Sequence, residues 1–280
     1  MRVKDAISYT QEKLSKVLEK PQAQWETLLI LGHLLKVKPL DVYLFPEKEV
    51  SLNKLEEIIT KRLQKVPLAY ILKETFFWGR RFFVEEGVLI PRQETELIIE
   101  VAKTRIKGKK LKVLELGIGS GAIGITLLIE LNTELLFGVD ISEKAIKVSK
   151  KNAFLYKVES RLFLVKGNWF EPFAKKRIFD LIVTNPPYIA QTEWKELDEE
   201  VRCFEPYEAL VGGENGLFFH EKTLKHAGKF LKKNGFLIFE MGYNQAKSVK
   251  ELLKTYNWEY QIFKDLLGYE RVVIAWQKSM

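Results

Sequence analysis

From residue 111 onward, short apolar runs alternate with helical stretches, and that alternation is the signature of a layered α/β fold. Leu111-Lys112-Val113-Leu114-Glu115-Leu116 runs into a glycine loop and then a helix. The runs Leu135–Asp140, Arg161–Val165, Phe179–Thr184, Gly235–Glu240 and Arg271–Trp276 follow, a Lys-rich helix separating the first two. Strands this uniformly apolar are covered on both faces, as in parallel sheets joined by crossover helices. The expectation is a mostly parallel, doubly wound sheet whose last strand has no helix after it.

The chain before this region reads differently. Val3, Ile7, Leu14, Val17 and Leu18 line one helix face, and Pro21 suits the first turn of a second helix. A third helix begins after Ser51, carries Leu52, Leu55, Ile58, Ile59 and Leu63 on one stripe, and is closed by Pro67. Thr75-Phe76-Phe77-Trp78-Gly79-Arg80-Arg81-Phe82-Phe83-Val84 is aromatic and β-prone around a glycine, which predicts a hairpin acting as the hinge between domains. Its phenylalanines fit interdomain packing better than base stacking. Three segments are expected: a helical domain over 1–67, a hairpin linker over 68–92, and a ligand-binding α/β domain over 93–280.

Composition narrows the class. A chain of 280 residues with 46% hydrophobic residues can bury a sizeable core without covalent staples. Its single cysteine, Cys203, excludes an internal disulfide and a multi-cysteine zinc site, and three histidines argue against a His-rich metal centre. No apolar run approaches a membrane span, and Asp5 and Glu12 early in the chain argue against a targeting peptide. The expected setting is cytoplasmic, away from membranes. A net charge of +8 permits nucleic acid or a ribonucleoprotein-associated partner without demanding either. Residues 1–75 hold 13 Lys and Arg against 10 Asp and Glu, which is no basic patch of the kind that phosphate binding needs.

Three constellations carry chemistry. Glu115-Leu116-Gly117-Ile118-Gly119-Ser120-Gly121-Ala122-Ile123-Gly124 lies where a strand turns into a helix. Glycines there let the backbone approach a ligand closely, and a helix N-terminus favours negative charge. Gly119, Gly121 and Gly124 satisfy a dinucleotide fingerprint; Gly117, Gly119 and Gly121 with Glu115 read equally as the glycine loop of class I S-adenosylmethionine-dependent methyltransferases. Asp140 ends the next strand at the separation where a carboxylate accepts from both ribose hydroxyls. Either cofactor has an adenosine ribose, so Asp140 does not choose between them. Further on, Asn168 offers an amide acceptor for an adenine amino group and Trp169 a flat surface for the ring.

Asn185-Pro186-Pro187-Tyr188 closes a strongly apolar strand. Such a tetrapeptide arises by chance on the order of once per thousand chains of this length or less. Two prolines stiffen the backbone and remove two N–H donors, which leaves carbonyl oxygens as acceptors. Asn185 adds an acceptor and Tyr188 an aromatic face. The product is a rigid clamp for a planar NH2 group, suited to methylating an amide or aromatic amine by in-line displacement, where positioning supplies most of the rate.

With these residues the chain resembles the release factor glutamine methyltransferases, the HemK/PrmC family, over essentially its whole length. The resemblance extends to Leu89-Ile90-Pro91-Arg92-Gln93-Glu94-Thr95-Glu96, to Val201-Arg202-Cys203-Phe204-Glu205-Pro206 and to Gly212-Gly213-Glu214-Asn215-Gly216. It implies a Rossmann-like class I methyltransferase domain, with S-adenosyl-L-methionine as donor and the glutamine of the Gly-Gly-Gln loop of class I peptide chain release factors as acceptor. It also implies that Gly117 to Gly121, with Ile118 and Ser120 between the glycines and Glu115 before them, pass the methionine part. Asp140 then takes the ribose, Asn168 and Trp169 the adenine, and Asn185 to Tyr188 the glutamine amide, with Asn185 also bordering the cofactor. The helical domain would grip the release factor, and nucleic acid would not be required.

The same clamp also serves methyltransferases that act on adenine or guanine amino groups, which stand as the nearest alternative. A nicotinamide oxidoreductase leaves Asn185–Tyr188 unexplained and lacks a Tyr-x-x-x-Lys or His–Asp relay, and a non-enzymatic release-factor-binding module would not take up cofactor. Cys203 reads as packing rather than as a nucleophile, and Glu240 as a group near the cleft or a structural pair.

Overall fold

The computed structural model describes residues 1–107 and 110–277. In chain order it begins with α1 (Val3–Leu14), α2 (Lys20–Leu35), α3 (Leu52–Leu63) and α4 (Leu68–Leu72). A hairpin follows, β1 (Glu74–Phe77) and β2 (Arg80–Phe83). Next come α5 (Glu96–Arg105), β3 (Leu111–Leu116), α6 (Ala122–Glu130), β4 (Thr133–Asp140), α7 (Glu143–Leu155), β5 (Leu162–Lys166) and β6 (Phe179–Thr184). The chain continues through α8 (Glu199–Phe204), α9 (Phe218–His226), β7 (Leu231–Glu240), α10 (Ala246–Thr255), β8 (Trp258–Lys264) and β9 (Glu270–Gln277). Contacts divide it into two compact units: Met1–Glu74 with Asp198–Phe204, and Thr75–Leu197 with the described residues from Glu205 on. Among the described residues no helix is long and apolar enough to cross a membrane.

The first unit is helical because its apolar residues recur at helical spacing and meet in one core, with Val3, Ala6, Leu14, Ile30, Leu31, Leu55 and Ile59 essentially inaccessible. Pro21 sits in the first turn of α2, and the Ser51 hydroxyl accepts from Lys54 N–H to cap α3. At the centre lies a buried ion cluster. Arg62, 1% exposed, gives Nε to Glu26 Oε2 at 2.6 Å and a terminal nitrogen to Glu26 Oε1 at 3.0 Å. Its other terminal nitrogen meets Glu200 Oε2 at 2.9 Å, and Lys65 pairs with Glu199 at 2.5 Å. These ion pairs explain why the distant α8 belongs to this unit.

The second unit is a seven-stranded sheet in the order β5-β4-β3-β6-β7-β9-β8. Strands β3 to β7 are parallel, whereas β9 runs antiparallel between β7 and β8. Strands β3 and β6 are buried at all but one position, as expected for strands covered on both faces. One strand, β8, is absent from the sequence reading. It is an edge strand with polar Glu259, Gln261 and Lys264, so it presents no continuous apolar run.

The hairpin turns through Trp78 (φ 52°) and Gly79 (φ 67°), the two left-handed residues that a two-residue turn between twisted strands requires. Trp78 tolerates this because its N–H donates to Glu96 Oε1 at 2.7 Å. Phe77 and Phe82 are buried in the same core as Ile98, Ile99 and Val113, while Phe76 remains partly exposed.

Arg62 generates a stability prediction. Arg62→Met leaves the Glu26 carboxylate buried without its cation, which costs about 3 kcal/mol or more. Urea unfolding followed by far-UV circular dichroism measures this, and an unchanged midpoint would mean that the pair is not structural.

Candidate active site

Register places the chemistry. Leu116 of β3 lies opposite Val139 of β4 and Thr184 of β6, and Thr184 of β6 lies opposite Phe239 of β7. The residues that follow, Gly117, Asp140, Asn185 and Glu240, therefore leave the same edge of the sheet side by side. Connections depart in opposite directions from β3, the switch point of a doubly wound sheet where ligands bind. The Thr184 hydroxyl donates to the Leu116 carbonyl at 2.8 Å and ties the two central strand ends together.

A cavity of ≈ 650 Å³ opens at this edge, within the range that ligand pockets occupy. Of the residues singled out above, Gly117, Gly119, Asp140, Asn168, Trp169, Asn185 and Pro187 line it. Gly117, Gly119 and Gly121 have φ of 71°, 54° and 82°, conformations that side chains resist, so the loop bends as only glycine allows. A Cβ built at Gly119 would meet nothing within 4 Å, and at Gly117 only the Trp169 ring. The loop thus leaves bare backbone facing room for a ligand.

Asp140 holds that loop. Its carboxylate accepts from Gly119 N–H and from Ser142 N–H, each at 2.9 Å. Burial pushes its pKa up, and the N–H donors pull the other way. Trp169 lies in the left-handed region (φ 59°), packs on Phe219 with ring centres 4.8 Å apart, and donates its indole N–H to Thr223 at 2.9 Å. One flank of the cavity is thereby aromatic and rigid.

Other expected residues stand elsewhere. The Glu115 carboxyl is buried behind the loop against α6, where a Cβ on Gly124 would come within 2.2 Å of its Oε2. Burial holds its pKa well above the usual carboxylate range, and it does not reach the cavity wall. Ile118 is core, and the Ser120 carbonyl accepts from Asn152 at 2.8 Å. Asn168 is on the wall, but its amide oxygen already accepts from Lys222 Nζ at 3.0 Å and its nitrogen donates to Glu171 at 2.8 Å. Pro186 is buried. Tyr188 turns its hydroxyl inward to Glu240 Oε1 at 3.1 Å rather than offering its ring to the cavity, and Gln245 holds its carbonyl at 2.7 Å.

Asn185 is the group left incomplete. Its Nδ2 donates to Thr95 Oγ1 at 3.0 Å, while its Oδ1 is buried with no hydrogen-bond partner. A buried acceptor without a donor costs roughly 1–3 kcal/mol, and a bound N–H would recover that. The loops Gly87–Leu89 and Pro206–Ala209, which complete the walls, and Thr95, which meets Asn185, were not assigned a role from sequence. Their residues, Tyr207 and Glu208 among them, stand in no spacing pattern that would mark them as a site.

Two buried titratable groups stand beneath the clamp. Burial pushes the Glu240 carboxyl up to about 7 against the pull of the Thr95 and Tyr188 hydroxyls and of Arg271. His220, also buried, is pushed down to about 4, and its Nε2 lies 2.9 Å from the Glu240 carbonyl oxygen. Among the described residues no His, Cys, Asp and Glu cluster could hold a metal ion.

Comparison with known proteins places these features. Residues 92–201 match the family model described as Methyltransferase small domain, and residues 5–72 match that of the PrmC N-terminal domain. The release factor glutamine methyltransferase of Aquifex aeolicus is 40% identical over 273 residues, covering 94% of this chain and 95% of that one. The protein of the same name from Fusobacterium nucleatum is 42% identical over 231 residues, covering 81% of this chain and 65% of its own length. Among solved structures, a methyltransferase from Pyrococcus furiosus superposes with a TM-score of 0.55 at 18% identity, covering 79% of this chain and 98% of that one, which speaks to the fold alone.

The buried pair yields a pH prediction. Glu240 holds its proton to about 7 when folded but releases it near 4.5 when unfolded, so its contribution to stability is lost as pH rises through that window. His220 is protonated near 6.5 when unfolded but only near about 4 when folded, so its contribution is lost as pH falls. The two slopes oppose each other. Relative to wild type, stability of His220→Leu falls with rising pH between about 4 and 6.5, and that of Glu240→Gln rises between about 4.5 and 7. Each change approaches ~1.4 kcal/mol per pH unit, read from urea midpoints across pH. Parallel curves for variant and wild type would exclude the assignment.

Proposed function

The chain belongs to the release factor glutamine methyltransferase family, and on that premise we propose that it methylates the side-chain amide nitrogen of a glutamine in class I peptide chain release factors. The target is the glutamine of their Gly-Gly-Gln loop, and the methyl donor is S-adenosyl-L-methionine. The observation that carries this reading is the buried Asn185 Oδ1, an acceptor with no donor at the edge of a glycine-loop cavity.

When bound, S-adenosylmethionine supplies an electrophilic methyl group whose bonding electron pair leaves with sulfur. Gly117 and Gly119 would let its amino-acid part lie on bare backbone, Asp140 would accept from the ribose hydroxyls, and Trp169 would flank the adenine. Asn168 would add an acceptor only through the lone pair that Lys222 does not use.

An amide nitrogen is a poor nucleophile because its lone pair is delocalised into the carbonyl. Asn185 Oδ1, with the Pro186 and Pro187 carbonyls as neighbouring acceptors, would take hydrogen bonds from the two amide N–H groups. That fixes the nitrogen and favours the pyramidal geometry in which its lone pair points at the methyl carbon. A nitrogen so methylated would become strongly acidic and would give up its proton to water without a dedicated base. Rate therefore comes from placement rather than from a base.

The helical unit, assigned to residues 1–67 with the hairpin segment 68–92 as linker and 93–280 as catalytic domain, would recognise the release factor outside the loop. We assign the enzyme to the cytoplasm, where release factors act, with no requirement for nucleic acid.

The test is methyl incorporation from labelled S-adenosylmethionine into a release factor, its loop Gln→Ala variant, DNA and RNA in parallel. Label in the wild-type factor alone, mapped by mass spectrometry to the loop glutamine, is expected; label in nucleic acid would move the clamp to a base amino group. In the same assay, Asn185→Ala should cut kcat by on the order of 10²-fold with little change in S-adenosylmethionine affinity. Asp140→Ala should do the reverse, weakening cofactor binding first. Equal losses of both quantities in both variants would sink these roles.

A further inference from the structure

The clamp is a run of backbone that cannot hold itself. Pro186 and Pro187 fix two φ angles but carry no N–H, so neither donates a hydrogen bond that would set the direction of the carbonyls. The near end of the run is anchored by the pairing of β6 with β3 and by the bond from Asn185 Nδ2 to Thr95. The far end needs an anchor of its own, because an acceptor displaced by about an ångström misplaces the nitrogen that it orients.

Two elements supply that anchor. The first is the segment Leu210–Gly216. Ile189 N–H donates to the Leu210 carbonyl and Gly212 N–H to the Ile189 carbonyl, both at 2.9 Å, a parallel bridge that starts one residue beyond Tyr188. Gln191 N–H adds a bond to the Gly213 carbonyl at 3.0 Å. Glycine brings this backbone against the clamp itself. A Cβ on Gly212 would stand 2.3 Å from the Pro187 carbonyl oxygen, and one on Gly216 would stand 2.2 Å from that of Tyr188. Both obstacles are backbone atoms, which have no rotamer to swing aside.

The second is Gln245, 8% exposed, at the N-cap of α10. Its side chain makes no cap bond. Instead its Oε1 accepts from Gly242 N–H at 2.9 Å, and since an N–H only donates, the amide has one orientation. Its Nε2 then faces two carbonyls, that of Tyr188 at 2.7 Å and that of Gly216 at 3.3 Å. One side chain thus ties together the last carbonyl of the clamp, the glycine segment and the turn after β7. These bonds end on Tyr188 and Ile189, and Asn185 Oδ1 is left for a donor.

We propose that Gln245 and the segment Gly212–Gly216 are positioning elements for methyl transfer, which fix the Pro187 and Tyr188 carbonyls from outside the cavity so that the acceptors of the clamp are in place before substrate arrives. This rests on the reading of Asn185–Tyr188 as the amide clamp. Neither element lines the cavity, so a change in either disturbs the clamp without touching the cofactor's walls.

The experiment measures kcat, KM for release factor, S-adenosylmethionine Kd and the urea midpoint for wild type, Gly212→Ala, Gln245→Met and Gly268→Ala, and follows exchange of the Ile189 N–H by NMR. Gly212 lies outside the left-handed region, so alanine there acts through the Pro187 and Gly216 carbonyls that its Cβ meets. Gly268 is the converse: at φ 86° alanine strains the β8–β9 turn, yet its Cβ meets nothing within 4 Å. Gly212→Ala should lower kcat by on the order of 10²-fold and Gln245→Met by on the order of tenfold, with KM and Kd changed less than about threefold. Gly268→Ala should lower the urea midpoint and leave kcat unchanged. The Ile189 N–H should exchange slowly in wild type and Gly268→Ala and faster in Gly212→Ala. The proposal is overturned if Gly212→Ala turns over like wild type, if kcat merely tracks the urea midpoint across the variants, if cofactor affinity is lost together with kcat, or if Gly212→Ala leaves Ile189 exchange unchanged. A wild type that labels no release factor overturns the substrate assignment instead, and the exchange comparison still decides whether the segment holds the clamp.

Discussion

Everything at the candidate site follows from the pairing of β3 with β6 in one register. Leu116 opposite Thr184, joined by the Thr184 hydroxyl, brings a glycine loop and a proline-stiffened turn out of adjacent strand ends. Slide that register by one residue and every side chain changes face. The buried surfaces of both strands forbid the slip, because Leu114, Leu116, Leu181 and Val183 are inaccessible to solvent. The geometry of the candidate site is thus held by hydrophobic burial acting through strand pairing, with polar groups adjusting only the last ångström.

The fold was legible because its determinants are local and periodic. Five apolar runs and a glycine-bearing turn define β3 to β7 and the loop, while β8 escaped notice because an edge strand with alternating polar residues looks like any polar segment. The site was legible where residue type alone implies chemistry: Asn185 among prolines, glycines at left-handed positions, a carboxylate ending β4. It was not legible where orientation decides. Glu115 and Tyr188 read as members of the site, yet one points beneath α6 and the other toward Glu240, since neighbours in sequence alternate between the cavity and the interior. Thr95 lies 90 residues from Asn185, a separation that no local pattern spans.

The helical unit illustrates a different division of labour. A buried Arg62 held by Glu26 and Glu200 contributes little net stability compared with well-packed apolar residues, since desolvation offsets most of the attraction. What it supplies is specificity of partner: of the segments that could cover α3, only one bearing a carboxylate leaves Arg62 satisfied.

In the proposed reaction an acceptor-only clamp would also give selectivity without any pocket for size. Glutamate matches glutamine in volume, but its carboxylate would set oxygens against Asn185 Oδ1 and the proline carbonyls, leaving buried acceptors unpaired. Sites built around a required donor reject analogues that lack it by far larger factors than sites that read shape, on the order of 10⁴-fold or more. A lysine ammonium has donors but brings a charge, and the residues of the clamp, Asn185 to Tyr188, include no carboxylate to meet it. The two prolines sharpen this further by removing N–H groups that would otherwise donate to a carboxylate. In the proposed reaction, then, the residues that orient the amide nitrogen are the same ones that decide which side chain is allowed to present it.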